Sequence, residues 1–279
     1  MFKGFFNKTE QSPRQQEYID SKVRKFPKVV FYIFLIYFIL FAIYMGWYIY
    51  FVDTYQLSEV EGVSMQDTLN PGVSDQSEGH DLVYINKKIK PKHGDIIVIN
   101  DMNENQPVKL IKRTIGLGGD YITIMRDDKC EEHRTIFNGP CYHVFRGYPD
   151  APEGERVVRL EEDYIKSYQD WNNKSAYRDN ESGIEYERDF YDQFLRNEYT
   201  IIDGVKFMQV PNFEIFYLGD NRHNSSDSRA RGTGKVSKLD GVAEIILPGA
   251  AKEGASVFSI KFKQIFNFYW DKLTQFFAR

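Results

Sequence analysis

The sequence predicts a mainly β fold, in which an antiparallel β domain carries an N-terminal transmembrane helix, an inserted cap region and a C-terminal amphipathic helix. Three observations support this class. A run of 24 residues without a charge lies near the N-terminus. Short apolar runs bounded by turn residues follow it, without the regular alternation of strands and helices that indicates a parallel sheet. The C-terminal residues return to a helical spacing of apolar side chains.

Residues 1–28 are predicted to be a basic cytoplasmic tail, and residues 29–52 the transmembrane helix. The tail contains seven Lys and Arg against three Asp and Glu, which leaves a net charge of +4. A helix of 24 residues is about 36 Å long and covers the roughly 30 Å hydrocarbon core of a bilayer. Residues 53–56 (DTYQ) offer no signal-peptide cleavage site, so the helix is predicted to be retained as an anchor.

Charge also predicts the orientation of this anchor. Basic residues that flank a span stay in the cytoplasm, so the rest of the chain is expected outside it. The sequence therefore predicts a single-pass protein of the cell membrane, with its N-terminus in the cytoplasm and a folded domain on the extracellular side. The lipid bilayer is the first predicted partner.

Two stretches, residues 53–125 and 201–255, together form the predicted β domain. Short runs rich in Val, Ile, Tyr and Phe are bounded there by Gly, Pro, Asn and Asp, which is typical of strands joined by tight turns. The predicted strands cover residues 81–85, 95–99, 108–115, 121–125, 205–210, 213–218 and 242–247.

Residues 126–200 are predicted to be an inserted acidic cap region. Residues 150–200 hold 14 Asp and Glu against seven Lys and Arg, which is typical of a solvated insertion. Residues 185–199 predict a helix within it, with four apolar side chains on one side: Tyr186, Phe190, Phe194 and Leu195.

Residues 256–279 are predicted to be the amphipathic helix. Phe, Tyr, Leu and Ile recur in it at helical spacing, and basic residues outnumber acidic ones. A helix of this kind lies in a membrane interface or packs on the neighbouring domain, and both alternatives are open.

Composition excludes several classes of protein. The 279 residues have a net charge of −4, so no basic surface is available for nucleic acid. Aromatic residues reach 16%, which excludes disorder over the whole length.

Two Cys cannot build a dense disulfide scaffold. Cys130 and Cys141 are interpreted as a disulfide, as two free thiols or, last in order, as zinc ligands with His133 and His143. No metal or other cofactor is predicted.

Two residues are candidates for catalysis, Ser64 and Lys112. Taken alone, Ser64 also fits a structural role, and the spacing around Lys112 also fits a surface Lys on an edge strand. Ser64 follows a Gly-Val pair but does not lie in a Gly-x-Ser-x-Gly motif. Lys112 lies in a predicted strand, on the same face as Val108 and Leu110. Burial on an apolar face lowers the pKa of a Lys, and the neutral amine can then act as general base toward a Ser hydroxyl.

A third stretch, residues 219–229 (GDNRHNSSDSR), mixes two Asp, two Arg and three Ser after an apolar strand. Such a set is more than a turn needs, and it can order a site through charge-assisted hydrogen bonds.

Together these three stretches resemble bacterial type I signal peptidase, in its single-span Gram-positive form. The family's motifs match residues 64–69 (SMQDTL), 112–120 (KRTIGLGGD) and 219–229, and a further family segment matches residues 94–99 (GDIIVI). The resemblance implies a signal-peptidase-type β catalytic domain and a membrane-bound endopeptidase. Its substrates would be the signal peptides of exported preproteins, and the secretion machinery is a further candidate partner.

Position by position, the resemblance implies that Ser64 is the nucleophile and Lys112 the general base. The backbone N–H of Ser64 would contribute to the oxyanion hole. Ser225 would form a hydrogen bond with the Lys112 amine and orient it. The other matched residues would form two ion pairs that support the site, Asp227 with Arg229 and Asp220 with Arg113.

The chain departs from the family pattern at four positions. Asp67 and Gly118 stand where the family usually has Pro, and His223 stands where it usually has Asp. Gly62 stands where some members use a Ser hydroxyl as a second oxyanion donor, so that donor is not assigned.

One alternative function remains open at this point. Some signal-peptidase-like proteins act without catalysis as chaperones in the assembly of pili or surface proteins. The altered motifs keep this alternative open, whereas the presence of both Ser64 and Lys112 favours the enzyme. A cytoplasmic self-cleaving repressor of related fold conflicts with the predicted membrane span.

Overall fold

The computed structural model describes residues 13–66, 68–70, 80–103, 106–126, 142–165, 176–249 and 270. The chain divides into two compact units, residues 1–54 and 55–279. The Cys130 and Cys141 interpretations, the departure at Asp67 and, apart from Trp270, the helix predicted for residues 256–279 all lie outside the described residues.

The first unit contains one long helix, α1 (Pro13–Thr54). Its stretch Lys28–Thr54 has a mean hydropathy of 2.5, and no side chain of its most apolar window is buried within the protein. Large apolar side chains such as Phe34 and Tyr37 are more than two-thirds exposed. Exposed apolar surface of this extent is unfavourable in water and suits a lipid environment. The predicted apolar helix is therefore confirmed, whereas its orientation stays a prediction.

The second unit is built from two antiparallel sheets. The first has the order β1-β2-β14-β3-β4-β12-β13. Its strands are β1 (Tyr55–Glu59), β2 (Leu82–Asn86), β3 (Ile96–Asn103), β4 (Gln106–Leu117), β12 (Glu214–Leu218), β13 (Gly234–Lys235) and β14 (Leu239–Leu247).

The second sheet has the order β10-β11-β5-β6-β7, with β9 paired to β5 and β8 paired to β9. Its strands are β5 (Tyr121–Arg126), β6 (Tyr142–Gly147), β7 (Val157–Arg159), β8 (Ala176–Arg178), β9 (Glu185–Glu187), β10 (Thr200–Ile202) and β11 (Val205–Gln209). Every described strand pair in both sheets is antiparallel, which confirms the predicted fold class.

A tight turn at Gly118 and Gly119 carries the chain from β4 in the first sheet to β5 in the second. Gly119 has a φ of +98°, which favours glycine. A Cβ at Gly118 would come within 3.0 Å of the backbone N of Phe213 and the carbonyl oxygen of Pro211. The close approach of residues 211–213 therefore leaves no room for a ring at position 118, which explains one departure from the family pattern.

The segment predicted to be a solvated helical insertion is partly core, and that prediction is wrong for residues 185–195. Residues 185–187 form strand β9, and the helical part is one α-helical turn, α2 (Arg188–Phe190), followed by a π-helical turn over Tyr191–Leu195. Tyr186, Phe190 and Leu195 are fully buried in the largest hydrophobic cluster. The spacing of these apolar residues indicated a buried side, but it did not distinguish a short strand followed by a turn from a continuous helix.

Candidate active site

Strand β4 places Lys112 in the interior of the unit. Lys112 pairs with Ile97 of strand β3, and only 3% of its surface is exposed. Its Nζ donates hydrogen bonds to Ser64 Oγ at 2.7 Å and to the carbonyl oxygen of Ile111 at 2.8 Å. The structure therefore brings the two predicted catalytic residues, 48 positions apart in the chain, into direct contact.

The Ser64 loop is held from both sides. Met65 and Leu69 are 1% exposed and anchor the loop in a hydrophobic cluster with strands of the first sheet. On the other side Asn221 donates from its backbone N–H to the carbonyl oxygen of Ser64 and from its side-chain Nδ2 to that of Val63, both at 3.1 Å. These contacts fix the direction of the Ser64 side chain toward Lys112.

Gly219 packs closely against the Ser64 loop. A Cβ at Gly219 would overlap the carbonyl oxygen of Ser64 and the hydroxyl of Ser225. Only glycine therefore allows residues 219–222 to approach the Ser64 loop closely enough for the Asn221 hydrogen bonds.

Burial changes the protonation of the Lys112 amine. Desolvation lowers the pKa of Lys112 from 10.5 to about 8, while Asp227 raises it and Arg231 lowers it by smaller amounts. Near pH 8 about half of the amine is therefore neutral. A neutral amine in hydrogen-bond contact with a Ser hydroxyl can accept its proton.

Both predicted ion pairs form in the structure. Arg113 donates to the two carboxylate oxygens of Asp220 from Nε at 2.8 Å and from Nη2 at 2.6 Å. Arg229 donates to the two oxygens of Asp227 from Nε and Nη2, each at 2.8 Å. Asp227 and Asp220 are almost completely buried. Bidentate pairs of this kind restrict the loop that contains Asn221 and thereby support the Ser64 contact.

Ser225 does not make the predicted hydrogen bond to Lys112. Among the described residues, the Lys112 Nζ bonds go to Ser64 and to the Ile111 carbonyl oxygen instead. The Ser225 hydroxyl is instead buried beside Gly219 and close to the Asp227 carboxylate. The Ile111 carbonyl therefore orients the amine where a hydroxyl was expected.

Two supporting residues were missed from the sequence, Thr68 and Asn221. Thr68 Oγ1 donates to Asp220 Oδ2 at 2.6 Å and so connects the Ser64 loop to the Arg113 pair. Both residues lie inside the matched motifs, at residues 64–69 and 219–229, so their position within a motif was the sequence signal that could have identified them. His223, which stands where the family usually has Asp, is exposed.

A groove of about 740 Å³ opens beside the Ser64–Lys112 pair. Residues 58–62 line one wall and residues 107–111 of β4 the other, with Val83 and Val98 also in contact. Residues 106–113 of β4 pair with β3 on one side, and β12 pairs with β4 on the other side only from Arg113 to Leu117. The side of β4 opposite β3 is therefore unpaired before Arg113 in the described part of the chain. An extended peptide can therefore pair with this edge and present a carbonyl to Ser64.

The Ser64 backbone N–H is available to such a carbonyl. It donates to no acceptor among the residues described. Gly62, two residues before Ser64, has no side chain and therefore provides no side-chain donor. A Ser hydroxyl in contact with a buried Lys amine, beside a backbone N–H donor at one end of a peptide-sized groove, is an arrangement that can perform acyl transfer.

The chain is similar to several known proteins. The model of the family described as signal peptidase, peptidase S26, matches residues 30–247. Signal peptidase I P of Bacillus subtilis subsp. natto is 30% identical over 193 residues, which cover 67% of this chain and 74% of that protein. Signal peptidase I of Buchnera aphidicola subsp. Baizongia pistaciae is 28% identical over 247 residues, 76% of each chain. A crystal structure of a signal peptidase I from Enterococcus faecalis V583 is 24% identical, covers 56% of this chain and 98% of that chain, and has a TM-score of 0.32.

Proposed function

The chain belongs to the signal peptidase, peptidase S26, family, and from this premise we propose that it is a membrane-bound serine endopeptidase that removes signal peptides from exported preproteins. The observation that carries the proposal is the 2.7 Å contact between Ser64 Oγ and the buried amine of Lys112. A Ser hydroxyl is a weak nucleophile until a base takes its proton, and the neutral amine supplies that base.

The reaction follows from the positions of these groups. Ser64 Oγ attacks the scissile carbonyl carbon as Lys112 accepts the hydroxyl proton, and the negative charge on the carbonyl oxygen is stabilised by the Ser64 N–H. The tetrahedral intermediate collapses to an acyl-enzyme when Lys112 returns the proton to the leaving amine. A water molecule, deprotonated by Lys112, then hydrolyses the ester and regenerates both residues.

The groove supports the substrate class. An extended preprotein chain pairs with the free edge of β4, and Val60, Val83 and Val98 leave shallow apolar space for small side chains. Small residues before the cleavage point are the signature of secretory signal peptides. We place the catalytic domain outside the cytoplasm, since the basic tail that precedes the apolar helix stays inside.

The direct test is cleavage of a preprotein that carries Ala-x-Ala before its cleavage point. The detergent-purified full chain should release the mature protein, with the new N-terminus directly after the second Ala. Ser64→Ala should abolish the product, whereas Ser237→Ala, at an exposed position, should leave it unchanged. Undiminished cleavage by Ser64→Ala would refute Ser64 as the nucleophile, whereas a folded wild-type chain that cleaves no preprotein would favour the non-catalytic assembly chaperone.

The pH dependence of cleavage is a second prediction. Because the protonated amine cannot accept the Ser64 proton, kcat/KM should fall about tenfold per pH unit below an apparent pKa of about 8. A solvated Lys with an ordinary pKa would still show rising activity at pH 10. The measurement is kcat/KM between pH 6 and 10, on a peptide without ionisable groups near the scissile bond. An acid limb near pH 10, or none at all, would contradict the assignment of Lys112.

A further inference from the structure

Glu162 lies in the connection that follows strand β7. Its carboxylate is buried next to the loop of residues 219–222. It accepts a hydrogen bond from Arg222 Nη1 at 2.9 Å and a second, shorter one from Nη2. Burial alone would raise the pKa of Glu162, but Arg222 and the Tyr164 hydroxyl hold it below its usual 4.5. The carboxylate is therefore ionised and bound on both oxygens at neutral pH.

Tyr164, two residues further on, connects the same carboxylate to the second Arg of the site. Its hydroxyl donates to Glu162 Oε1 at 2.6 Å. Its ring lies against the guanidinium of Arg113, 3.8 Å from the ring centre to the guanidinium carbon. Glu162 thus contacts Arg222, and Tyr164 contacts Arg113.

A continuous set of contacts leads from these two Arg residues to the nucleophile. Arg222 Nε donates to the carbonyl oxygen of Gly219 at 3.0 Å, and Arg113 binds both oxygens of Asp220. Gly219, Asp220 and Arg222 flank Asn221, whose two hydrogen bonds hold the carbonyl groups of Val63 and Ser64.

We propose that Glu162 and Tyr164 are positioning residues, which act through Arg222 and Arg113 to keep Asn221 against the Ser64 loop and Ser64 against Lys112. This assignment rests on the proposed peptidase function. It gives the segment before β8 a role in catalysis that its acidic composition did not indicate. Neither residue contacts Ser64 or Lys112 directly in the described hydrogen bonds, so their effect is expected on the rate of the chemical step more than on substrate binding.

The test is Glu162→Gln, compared with Asp179→Asn in the full chain. Asp179 accepts from Lys206 at 2.8 Å, and both side chains of that pair are less than 10% exposed. This pair is also a carboxylate–cation pair of low exposure, with one Lys contact in place of the two Arg contacts, and its described hydrogen bonds do not involve residues 63–70 or 219–222. Both substitutions leave one buried cation without its charged partner, so both should lower Tm.

Only Glu162→Gln should change catalysis. We expect kcat per active site to fall roughly 10- to 100-fold with KM changed less than about threefold, the active sites being counted with a serine-directed acylating probe. Displacement of the Ser64 loop also admits water to Lys112, so the acid limb of kcat/KM should move above pH 8. The charged groups that act on Lys112, which are Asp227, Arg231 and Asp220, are unchanged in both variants.

Tyr164→Phe keeps the ring against Arg113 and removes only the hydroxyl, so it serves if Glu162→Gln fails to fold. It should lower kcat in the same direction, by a smaller factor. A Glu162→Gln enzyme with wild-type kcat and an unshifted acid limb would overturn the inference, as would equal effects of Asp179→Asn. If Ser64→Ala is inactive in the same series, such a result leaves the proposed function intact, whereas cleavage by Ser64→Ala would overturn both the inference and Ser64 as the nucleophile.

Discussion

Lys112→Met should lower kcat/KM for preprotein cleavage by roughly 10⁴-fold or more, since no other base contacts Ser64 Oγ in the described part of the chain. Met has nearly the length of the Lys stem and no charge, so it fills the same buried space beside Ile97. The expected loss is therefore in chemistry and not in folding. The measurement is steady-state cleavage at pH 9, where the wild-type amine is mostly neutral, together with thermal unfolding of both proteins.

Lys238→Met provides the matched control, because Lys238 is exposed at the end of a 3₁₀ turn before β14. It should retain wild-type kcat/KM and Tm. A Lys112→Met protein that folds and cleaves within tenfold of the wild type would show that another group accepts the Ser64 proton. A Lys112→Met protein of lower Tm but unchanged kcat would give Lys112 a structural role alone.

Asp227→Asn should have the largest effect on stability, lowering the free energy of unfolding by about 3–5 kcal/mol. Asp227 is fully buried, and it binds Arg229 through both oxygens while accepting a hydrogen bond from the backbone N–H of Gly219 at 3.1 Å. The substitution leaves the Arg229 guanidinium buried without its counter-charge. For a unit of this size the Tm of the full chain should fall by about 6–20 °C.

The stability that the Asp227 carboxylate contributes decreases as pH falls. Burial alone would raise the pKa of Asp227, but Arg229 and the Gly219 N–H hold it below its ordinary 3.8. The contribution to stability is therefore complete above about pH 4 and is lost as pH falls through the folded-state pKa. The Tm difference between wild type and Asp227→Asn should accordingly be full at pH 7 and should narrow below pH 4.

Asp203→Asn is the comparison for this experiment, since Asp203 forms a surface pair with Arg156 at 3.2 Å and both side chains are more than a quarter exposed. Exposed pairs contribute about 1 kcal/mol or less. A similar fall in Tm for the two variants would contradict the claim that burial makes the Asp227 pair important. In the Asp227→Asn protein that remains folded, the acid limb of kcat/KM should lie below pH 8, because Asp227 raises the pKa of Lys112 and the substitution removes that effect.

The strands of the first sheet could be predicted because they follow simple rules. Residues 82–86 and 96–99 are short apolar runs bounded by turn residues, and such runs are strands at these lengths. The family was predicted from three motifs that lie far apart in the chain, and the match to residues 30–247 confirms it. Strands such as β8, β9 and β10 were missed because three residues carry no periodic pattern, and their pairing partners are decided elsewhere in the chain.

The segment after β7 shows the same limit for the site. Glu162 lies among Asp and Glu residues that are mostly exposed, and no local pattern distinguishes it from them. Its partner Arg222 lies 60 positions away, inside a motif whose sequence does not name a counter-charge for it. A buried ion pair can be predicted only when both partners are known to be neighbours, and that knowledge comes from the packing of the two sheets.

Local rules acting on the chain alone were enough for the apolar helix and the main strands, because hydropathy and alternation depend on near neighbours. The resemblance of three separate motifs to a known family singled out Ser64 and Lys112 as the candidate reactive side chains. Long-range packing was needed for everything that depends on distance. It decides the contact of Ser64 with Lys112, the hydrogen bond of the Lys112 amine to the Ile111 carbonyl oxygen and the burial of residues such as Tyr186 and Phe190 in the core. The lowered pKa of Lys112 belongs to this second group, since an amine loses its proton only where the folded protein has removed the surrounding water.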